Sequence, residues 1–551
     1  MTLLPYIRGE IPVVRPVRPE WVMAGTVVWI LAADNLSFWR HFWGAQTQGS
    51  LEALFAGIAL SICLLFAFLT VLRLLAWPYL TKAVMVGLLL ACAVIAHFVD
   101  AWGVYFDKGM VRNVLQTDIQ EATDLLSVAL VVDFAVRGVL PSLIVLVVPI
   151  RSSRPSALTK VAIGTSIMAL LVAGAAAMAF YSIYASTFRN HRDLRFQLVP
   201  SNFLSSAYSL LKPKRTVELV EIAKDAVRPA PPTSQRPLIL VLVVGETARA
   251  ENFSLGGYGR PTNNALEGHD VLFTGNVTAC GTDTATSLPC MFSDLGAKDF
   301  DQDSAKSRQN VLDVLKRLGI ETLWIENNSG CKGVCDRTRT LVASTEQPVG
   351  CAKGTCLDEA LPRLLERELP SLQSDAVVVL HQQGSHGPAY YKRYPPPGVF
   401  QPTCDTNQIQ TCARSALLNT YDNTIDYTSQ ILAMTLDVAA SRRNAADYMV
   451  LYVSDHGESL GEAGLYLHGL PKVLAPKQQV QIPMMLWLSA SAEKRLRTSR
   501  SCLSKVVQKP LSHDNLFHTM LGIYNVRSAA YNPSLDIFEM ARSNQCMSER
   551  A

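Results

Sequence analysis

Apolar residues are concentrated in the first part of this chain. Up to about residue 187 they form long, nearly uninterrupted runs, whereas after about residue 235 short apolar runs alternate with polar, helix-periodic stretches. Most of the long runs have the roughly 20 residues that an α-helix needs to cross a bilayer. The pattern predicts an α-helical transmembrane bundle of five spans, at Trp21–Trp39, Ala53–Leu72, Ala83–Trp102, roughly Leu125–Ile150 and Val161–Tyr184.

The fourth run is the weakest candidate, because Asp133 and Arg137 interrupt it. Their spacing of four residues puts both side chains on one helix face, where they could neutralise each other. The alternative is that this stretch lies in the membrane interface.

The second part of the chain predicts an α/β sheet domain. Strand-like runs occur at Leu238–Val244, Glu321–Ile325, Ala376–Leu380, Met449–Val453 and Ile482–Leu488, and helical periodicity occurs at Asn310–Leu318, Ala360–Leu369 and Ser415–Ala440. This alternation indicates a sheet covered by helices on both faces. Ligands of such sheets bind beyond the carboxyl ends of the strands, and Glu246, His381 and Asp455 each follow a predicted strand.

A polar segment separates the two parts. Phe188–Val227 contains amphipathic stretches, Val217–Lys224 among them, that predict helices along the membrane surface. The proline-rich Arg228–Pro237 then ends regular structure. We therefore expect a transmembrane domain at residues 1–187, an interfacial helical linker at 188–236 and a catalytic α/β domain at 237–551.

Basic residues predict the orientation in the membrane. With the N-terminus in the cytoplasm, the cytoplasmic pieces carry most of the basic residues, and the opposite short loops carry only Arg40, Lys108 and Arg112. Five spans then export everything after Tyr184. The first apolar run has no small-residue cleavage site, so we expect a retained anchor. The formal net charge of +4 is too small to indicate a nucleic-acid partner.

Cysteine usage agrees with export. Of the 12 cysteines, Cys63 and Cys92 lie in predicted spans, and ten lie in the α/β part. An even number in an exported domain indicates disulfides, although the sequence does not determine their connectivity. Neighbouring cysteines suggest one set of pairs, with a structural zinc site at Cys331, Cys335, Cys351 and Cys356 as the alternative: Cys280/Cys290, Cys331/Cys335, Cys351/Cys356, Cys404/Cys412 and Cys502/Cys546.

The strand ends carry the chemistry. Glu246 follows one buried strand, and Asp455 and His456 follow another, so their oxygen and nitrogen atoms could bind zinc. Cys280-Gly-Thr-Asp-Thr-Ala-Thr-Ser-Leu-Pro-Cys290 places hydroxyls just before a predicted helix, whose dipole favours phosphate. Each piece alone has an ordinary structural explanation, but together they indicate metal-dependent phosphoryl or sulfuryl transfer. The candidate nucleophiles are Thr282, Thr284, Thr286 and Ser287.

Longer motifs resemble a known family. Val-Val-Gly-Glu-Thr, Cys-Gly-Thr-x-Thr-Ala-x-Ser-x-Pro-Cys-Met-Phe-Ser, His-Gly-Pro-Ala-Tyr and Ser-Asp-His-Gly-Glu-Ser-Leu-Gly-Glu are similar to motifs of the bacterial phosphoethanolamine transferases, including the lipid A enzymes of polymyxin resistance. The resemblance covers nearly the whole chain. It implies five spans, a bridging helical segment and a periplasmic domain of the alkaline phosphatase/sulfatase superfamily.

The resemblance assigns roles to individual residues. It implies that Thr284 is the nucleophile and that Glu246, Asp455, His456 and Thr284 bind one zinc ion tightly, with a second zinc left open. Residues matching the family's contacts to the phosphoethanolamine group, the phosphate or a second zinc are His386, His468, Ser329 and Lys332.

The membrane part offers a further match. Asn113, Thr117 and Glu121 correspond to the family's donor-binding residues, and their spacing predicts one helical stripe. The family often has Glu where this chain has Gln116, which we expect to have no effect on the chemistry. An ordinary polar loop helix is the alternative explanation for the three residues.

The resemblance implies phosphoethanolamine transfer from phosphatidylethanolamine to lipid A by an enzyme of the bacterial inner membrane. We expect a monomer, although the sequence does not determine the oligomeric state. Transfer to a core sugar or another envelope glycan is the alternative. A sulfatase would need Cys or Ser in a Cys/Ser-x-Pro-x-Arg context, which Thr284-Ala-Thr-Ser does not provide. A phosphoglycerol transferase would share the threonine chemistry, but its motif and cysteine content fit less well. A noncatalytic membrane sensor is the remote alternative, because every proposed metal ligand is present.

Overall fold

A computed structural model describes residues 16–45, 51–75, 80–116, 119–151, 155–191, 194–211, 218–229, 236–348, 351–352 and 355–543. The chain divides into two compact units. One consists of Met1–Lys108 and Leu126–Leu210, and the other of Gly109–Leu125 and Leu211–Ala551.

The first unit is helical, as the apolar runs predict. Its first helices are α1 Pro19–Ala33, α2 Leu36–Gly44, α3 Leu51–Leu75 and α4 Thr81–Trp102. The next two helices, α5 Lys108–Gln116 and α6 Ile119–Asp124, belong mostly to the second unit. The first unit then continues with α7 Val128–Asp133, a π-helical turn Phe134–Val139, α8 Leu140–Val147, α9 Pro155–Ala179, α10 Tyr181–Asn190, α11 Leu194–Gln197 and α12 Ser201–Leu211.

Three helices of the described residues are long and apolar enough to cross a membrane: Leu51–Arg73, Thr81–Trp102 and Val128–Val147. A fourth span results if α1 and α2, which meet at a bend of 57°, cross together. In the region of the fifth predicted span, the apolar stretch Ser166–Ala179 of α9 is shorter than the three helices that are long enough to cross. The helical membrane region is therefore confirmed, whereas the number of five spans stays a prediction.

The charges within the fourth predicted span have partners inside the helical unit. Asp133 lies 3.8 Å from Arg137 and 2.7 Å from His97, and Arg137 lies 2.6 Å from Asp100. Charged groups in a bilayer require such partners. The pairing at the predicted spacing of four residues explains how an apolar helix carries both charges.

The second unit is built on an eight-stranded sheet. Its strands are β1 Leu238–Gly245, β2 Leu272–Thr278, β3 Glu321–Glu326, β4 Arg339–Val342, β7 Ala376–His381, β8 Asp447–Ser454, β11 Gln481–Leu488 and β12 Leu511–Ser512, and two small hairpins add β5 Cys351–Ala352 with β6 Thr355–Cys356 and β9 Ser459–Glu462 with β10 Leu465–Leu467. The strand order in the sheet is β12-β2-β11-β8-β1-β7-β3-β4. The neighbouring strands β8, β1, β7, β3 and β4 run parallel to one another, and β11 runs antiparallel to β8 and β2.

All eight residues of β1 are buried, so the sheet is covered on both faces. The helices of this unit are α13 Thr284–Met291, α14 Gly296–Asp299, α15 Gln302–Lys306, α16 Val311–Arg317, α17 Ala343–Glu346, α18 Ala360–Glu368, α19 Arg414–Ser441, α20 Lys477–Val480, α21 Ala490–Arg495, α22 Arg500–Val507, α23 Asp514–Ile523 and α24 Ile537–Ser543. Short 3-10 turns complete the unit, at Ala250–Asn252, Ser254–Gly256, Asn264–Leu266, Leu369–Ser371, Tyr390–Lys392, Ile409–Thr411 and Pro533–Leu535.

The helix predicted over Val217–Lys224 is wrong. The described residues 218–229 contain no helix and instead run along the α/β unit. Val220 forms a parallel bridge with Arg308, and Val227 forms an antiparallel bridge with Arg527. Ile222 is buried in the main apolar core. Backbone pairing and burial of one side chain therefore override the helical periodicity of this short stretch.

Candidate active site

The pairing of two parallel strands brings the predicted metal ligands together. Gly245, the last residue of β1, pairs with Ser454, the last residue of β8. Glu246 and Asp455 therefore leave adjacent strands at the same edge of the sheet. A Cβ atom at Gly245 would lie 2.6 Å from the ring of Tyr452, so this strand end requires glycine.

Backbone hydrogen bonds fix the two strand ends relative to each other. The Asp455 N–H donates to the Gly245 carbonyl over 2.9 Å. Asp455 Oδ1 in turn accepts from the N–H groups of Thr247, at 3.2 Å, and His456, at 2.7 Å. Thr247 has a φ of 51°, a strained conformation for a β-branched residue that is typical of functional turns. Oδ2 of Asp455 is left to face the other predicted metal ligands, Glu246 and His456.

The nucleophile candidate begins α13. The Asp283 carboxylate caps this helix by accepting from the Thr286 N–H over 2.9 Å, so Thr284 is the first helical residue. Its hydroxyl donates to the Glu246 carboxylate at 3.0 and 3.1 Å and lies 3.3 Å from His456 Nε2. Of the four hydroxyl candidates, Thr284 is the one that reaches the predicted ligands.

The other three hydroxyls have different partners. Thr282 donates to the Leu470 carbonyl over 2.5 Å. The Thr286 hydroxyl accepts from Gln302, and the Ser287 hydroxyl accepts from the Gly281 N–H over 3.0 Å. These bonds shape the loop before α13 and the helix itself.

The ligand atoms of Glu246, Asp455 and His456 lie within 4.8 Å of one another, and all three side chains are buried. Burial and the negative charge of Glu246 raise the pKa of Asp455. Burial works against the charge of Glu246, but the hydrogen bond and the charge of His456 hold its pKa below the usual value. Two carboxylates in a buried site repel each other, and a cation between them would offset that repulsion.

The arrangement fits a zinc ion. Among the described residues, Asp455 Oδ2 has no hydrogen-bond partner although it is buried, which is rare for a carboxylate oxygen without a metal. Two carboxylates, an imidazole and a hydroxyl are hard and borderline donors of the kind that zinc accepts. Glu246, Asp455, His456 and Thr284 would hold the ion.

Two further predicted histidines lie beside these residues. The ring centroid of His468 is 4.5 Å from that of His456 and 5.4 Å from that of His386. Glu458 lies 3.3 Å from Nδ1 of His468 and orients its ring. Burial lowers the pKa of His386 to about 3, so that ring is neutral at physiological pH. The backbone of the His386 loop is tied to the site, because the Ser385 N–H donates to the Glu246 carbonyl over 3.0 Å.

Sequence reasoning missed Asn328. Its amide donates to Glu246 Oε2 over 2.7 Å, and it immediately precedes the predicted Ser329. Lys332 Nζ lies 2.9 Å from the Ser329 hydroxyl. The signal that could have found Asn328 is its place two residues after Glu326, the end of β3, at the same sheet edge as the other ligands.

Both parts of the chain match known families. Residues 239–526 match the family described as Sulfatase, and residues 64–215 match the family described as Phosphoethanolamine transferase EptA/EptB. The phosphoethanolamine transferase EptA of Escherichia coli (strain K12) is 38% identical over 531 residues, which cover 94% of this chain and 97% of the relative. The chain belongs to the phosphoethanolamine transferase family.

Two other relatives agree with this family. The phosphatidylethanolamine transferase Mcr-1 of Escherichia coli is 36% identical over 533 residues, which cover 93% of this chain and 96% of the relative. The solved structure of the integral membrane protein lipooligosaccharide phosphoethanolamine transferase A from Neisseria meningitidis has a TM-score of 0.90 at 34% identity, covering 95% of this chain and 99% of that one. The resemblance read from the motifs is confirmed.

Among the described residues, the α/β unit contains four disulfides: Cys280–Cys290, Cys331–Cys335, Cys351–Cys356 and Cys404–Cys412. The cysteines of the alternative structural zinc site are thus bonded in pairs. For the predicted pair Cys502–Cys546, Cys502 is buried and Cys546 lies outside the described residues.

The predicted donor-binding residues are described in part. Asn113 lies on α5 and close to Gly469, the residue that follows His468. A Cβ atom at Gly469 would be 3.8 Å from Asn113 Nδ2. Thr117 lies outside the described residues, and for Glu121, which lies in α6, only the backbone is described. The single helical stripe of the three residues therefore stays a prediction.

Proposed function

We propose that this chain transfers phosphoethanolamine from phosphatidylethanolamine to a phosphate of lipid A, at the periplasmic face of the bacterial inner membrane. The observation that carries the proposal is the position of the Thr284 hydroxyl, 3.0 Å from Glu246 and 3.3 Å from His456 at the start of a helix. Family membership supports the transferred group. One relative is a phosphatidylethanolamine transferase and another a lipooligosaccharide phosphoethanolamine transferase, which supports phosphatidylethanolamine as donor and a lipooligosaccharide as acceptor.

The reaction proceeds in two halves. In the first, Thr284 Oγ bonds to the phosphorus of the donor, the bond from phosphorus to the glycerol oxygen breaks, and diacylglycerol leaves with a proton. In the second, a phosphate oxygen of lipid A attacks the phosphoethanolamine on Thr284 and releases the threonine. A zinc ion, when bound, lowers the pKa of the threonine hydroxyl and offsets the phosphate charge.

The surrounding residues have separate tasks in this reaction. His468, oriented by Glu458, gives a proton to the leaving oxygen and later removes one from the acceptor. The N-terminus of α13 favours the negative charge that develops on the phosphate. Asn113 and Lys332 with Ser329 contact the donor. The product carries an added ammonium group, which lowers the negative charge of the cell surface and weakens the binding of cationic peptides.

Mass spectrometry of lipid A tests the proposal. Gram-negative cells would express wild type, Thr284→Ala or Thr286→Ala, the last a matched control whose hydroxyl bonds to Gln302 and not to Glu246. We expect a phosphoethanolamine adduct with wild type and Thr286→Ala, and none with Thr284→Ala. An adduct made by Thr284→Ala would exclude the threonine mechanism. An adduct on core sugars and not on lipid A would identify the alternative acceptor.

A further inference from the structure

His513, at the start of α23, joins two parts of the site that are far apart in sequence. Its ring is buried, with 1% of the residue exposed. Nδ1 accepts a hydrogen bond from the Cys280 N–H over 3.0 Å, and Nε2 donates to the Ser454 carbonyl over 2.9 Å. Its own N–H lies 3.2 Å from the Thr278 carbonyl at the end of β2. The side chain therefore bridges two backbone segments.

Both bridged segments lead directly to reacting groups. Cys280 opens the loop that ends at Thr284, and Ser454 is the last residue of β8 before Asp455 and His456. The distance between the nucleophile and these two ligands depends on how the loop is placed against the strand end. A rigid aromatic ring with a hydrogen bond at each end fixes that placement more tightly than a flexible side chain would.

The two hydrogen bonds require one form of the ring. A backbone N–H needs an unprotonated Nδ1, and a carbonyl needs a hydrogen on Nε2, so the ring must be the neutral Nε2–H tautomer. A charged ring would turn both nitrogens into donors, and Nδ1–H would then face the Cys280 N–H. Burial lowers the pKa of His513 to about 3, which agrees with a ring that stays neutral.

We propose that His513 is a positioning residue, which holds the Thr284 loop against the strand end that carries Asp455 and His456. The assignment rests on the proposed function, because the geometry it maintains is that of the transfer reaction. Among the described residues, the hydrogen bonds of the His513 ring go to backbone groups and not to the proposed reacting groups. His513 acts through the Cys280 N–H and the Ser454 carbonyl.

The test compares two substitutions of His513 in the full-length protein in detergent. His513→Ala removes both hydrogen bonds, whereas the amide oxygen of His513→Asn can still accept from the Cys280 N–H. For transfer from phosphatidylethanolamine, we expect His513→Ala to lower kcat about 10- to 100-fold with KM within about twofold of wild type, as for residues that orient metal ligands. His513→Asn should recover part of that kcat. Zinc release to a chelator should be fastest for His513→Ala.

His518→Ala is the matched control. His518 lies on the same helix, is also largely buried, and accepts from the Asn532 N–H over 3.1 Å, with no bond to Cys280 or Ser454. We expect it to lower the melting temperature without changing kcat or zinc release. If His513→Ala has the kcat and zinc release of wild type, or if its changes only match those of His518→Ala, the proposal is wrong.

The two readouts separate this proposal from the proposed function. If wild type shows no transfer, the proposed function fails. The positioning role still stands if His513→Ala releases zinc faster than wild type and His513→Asn releases it more slowly than His513→Ala. If His513→Ala does not fold, His513→Asn decides. A folded His513→Asn with wild-type kcat and zinc release would then overturn the role.

Discussion

At the scale of single residues, two buried carboxylates next to each other explain most of the site. Glu246 and Asp455 follow paired residues of adjacent parallel strands, so their separation is set by the sheet and cannot relax. Burial and the charge of Glu246 raise the pKa of Asp455, as expected where two carboxylates share a buried site. The sheet thus holds together two predicted ligands whose mutual repulsion a bound cation would offset.

Removing one of these carboxylates should abolish metal binding. Glu246→Gln keeps the size of the side chain and removes its charge, so we expect the protein-bound zinc, measured by mass spectrometry after gel filtration, to fall from about one ion to well below it. Transfer activity should fall at least about 100-fold. Glu366→Gln, an exposed glutamate on α18, is the matched control and should retain its zinc. Full zinc occupancy in Glu246→Gln would show that Glu246 is not a ligand.

The sequence predicted the residues at the strand ends better than those beside them. Glu246, Asp455 and His456 directly follow long buried apolar runs, and their types are those of metal ligands. Asn328 was missed because an amide two residues beyond a strand is ordinary in a loop. Only the sheet order, which places β3 beside β7 and β7 beside β1, brings Asn328 to Glu246.

At the scale of elements, the start of α13 decides where the proposed nucleophile, Thr284, lies. The Asp283 cap determines that Thr284 is the first helical residue, and the Cys280–Cys290 disulfide closes the loop and the helix into one unit. A capping side chain contributes roughly 1 kcal/mol to a helix. Here the same bond also places Thr284, the proposed nucleophile, at the first helical position.

Asp283→Ala should therefore cost more in activity than in stability. Loss of the cap should destabilise the protein by about 0.5–2 kcal/mol and lower kcat about tenfold or more, while Asp283→Asn, whose side chain can also cap a helix, should restore most of both. Asp301→Ala removes the equivalent cap of α15, where Asp301 accepts from the Ser304 N–H over 2.9 Å. It should lower the melting temperature to a similar extent and leave kcat unchanged. Equal effects of Asp283→Ala and Asp301→Ala on kcat would contradict this role.

The elements that the sequence predicted are those with a continuous apolar pattern. The five predicted strands and three predicted helices of the α/β unit are confirmed with boundaries shifted by at most two residues. β2 was missed because Leu-Phe-Thr-Gly-Asn-Val-Thr is half polar and contains a glycine. It is a strand because β11 and β12 pair with it on either side, and pairing between distant segments is not visible in a local pattern.

At the scale of the whole molecule, the second unit is built from two pieces of chain. Gly109–Leu125 belongs to it, although the helical unit separates this segment from the rest in sequence. Arg112 lies 3.1 Å from Asp303, and Asp124 forms an ion pair with Lys392 and accepts at its carbonyl from Asn407. The predicted donor-binding segment is thus attached to the α/β unit at both of its ends.

This attachment has a consequence for the donor. Arg393 lies 3.7 Å from Asp124, and its Nε donates over 2.8 Å to the carbonyl of His386, beside the site. Weakening the bond at Asp124 should free Gly109–Leu125 and with it Asn113. We therefore expect Asp124→Asn to raise KM for phosphatidylethanolamine several-fold with little change in kcat.

Hydrogen exchange of the full-length protein measures the attachment directly. Asp124→Asn and Lys392→Ala should each speed exchange in Gly109–Leu125, and the double variant should add little to either, because both substitutions break the same ion pair. Asp437→Asn, which removes an exposed partner of His269, is the control and should leave that exchange unchanged. Additive effects of the two substitutions would mean that Asp124 and Lys392 hold the segment through separate contacts. Unchanged exchange in both variants would mean that this ion pair does not hold the segment.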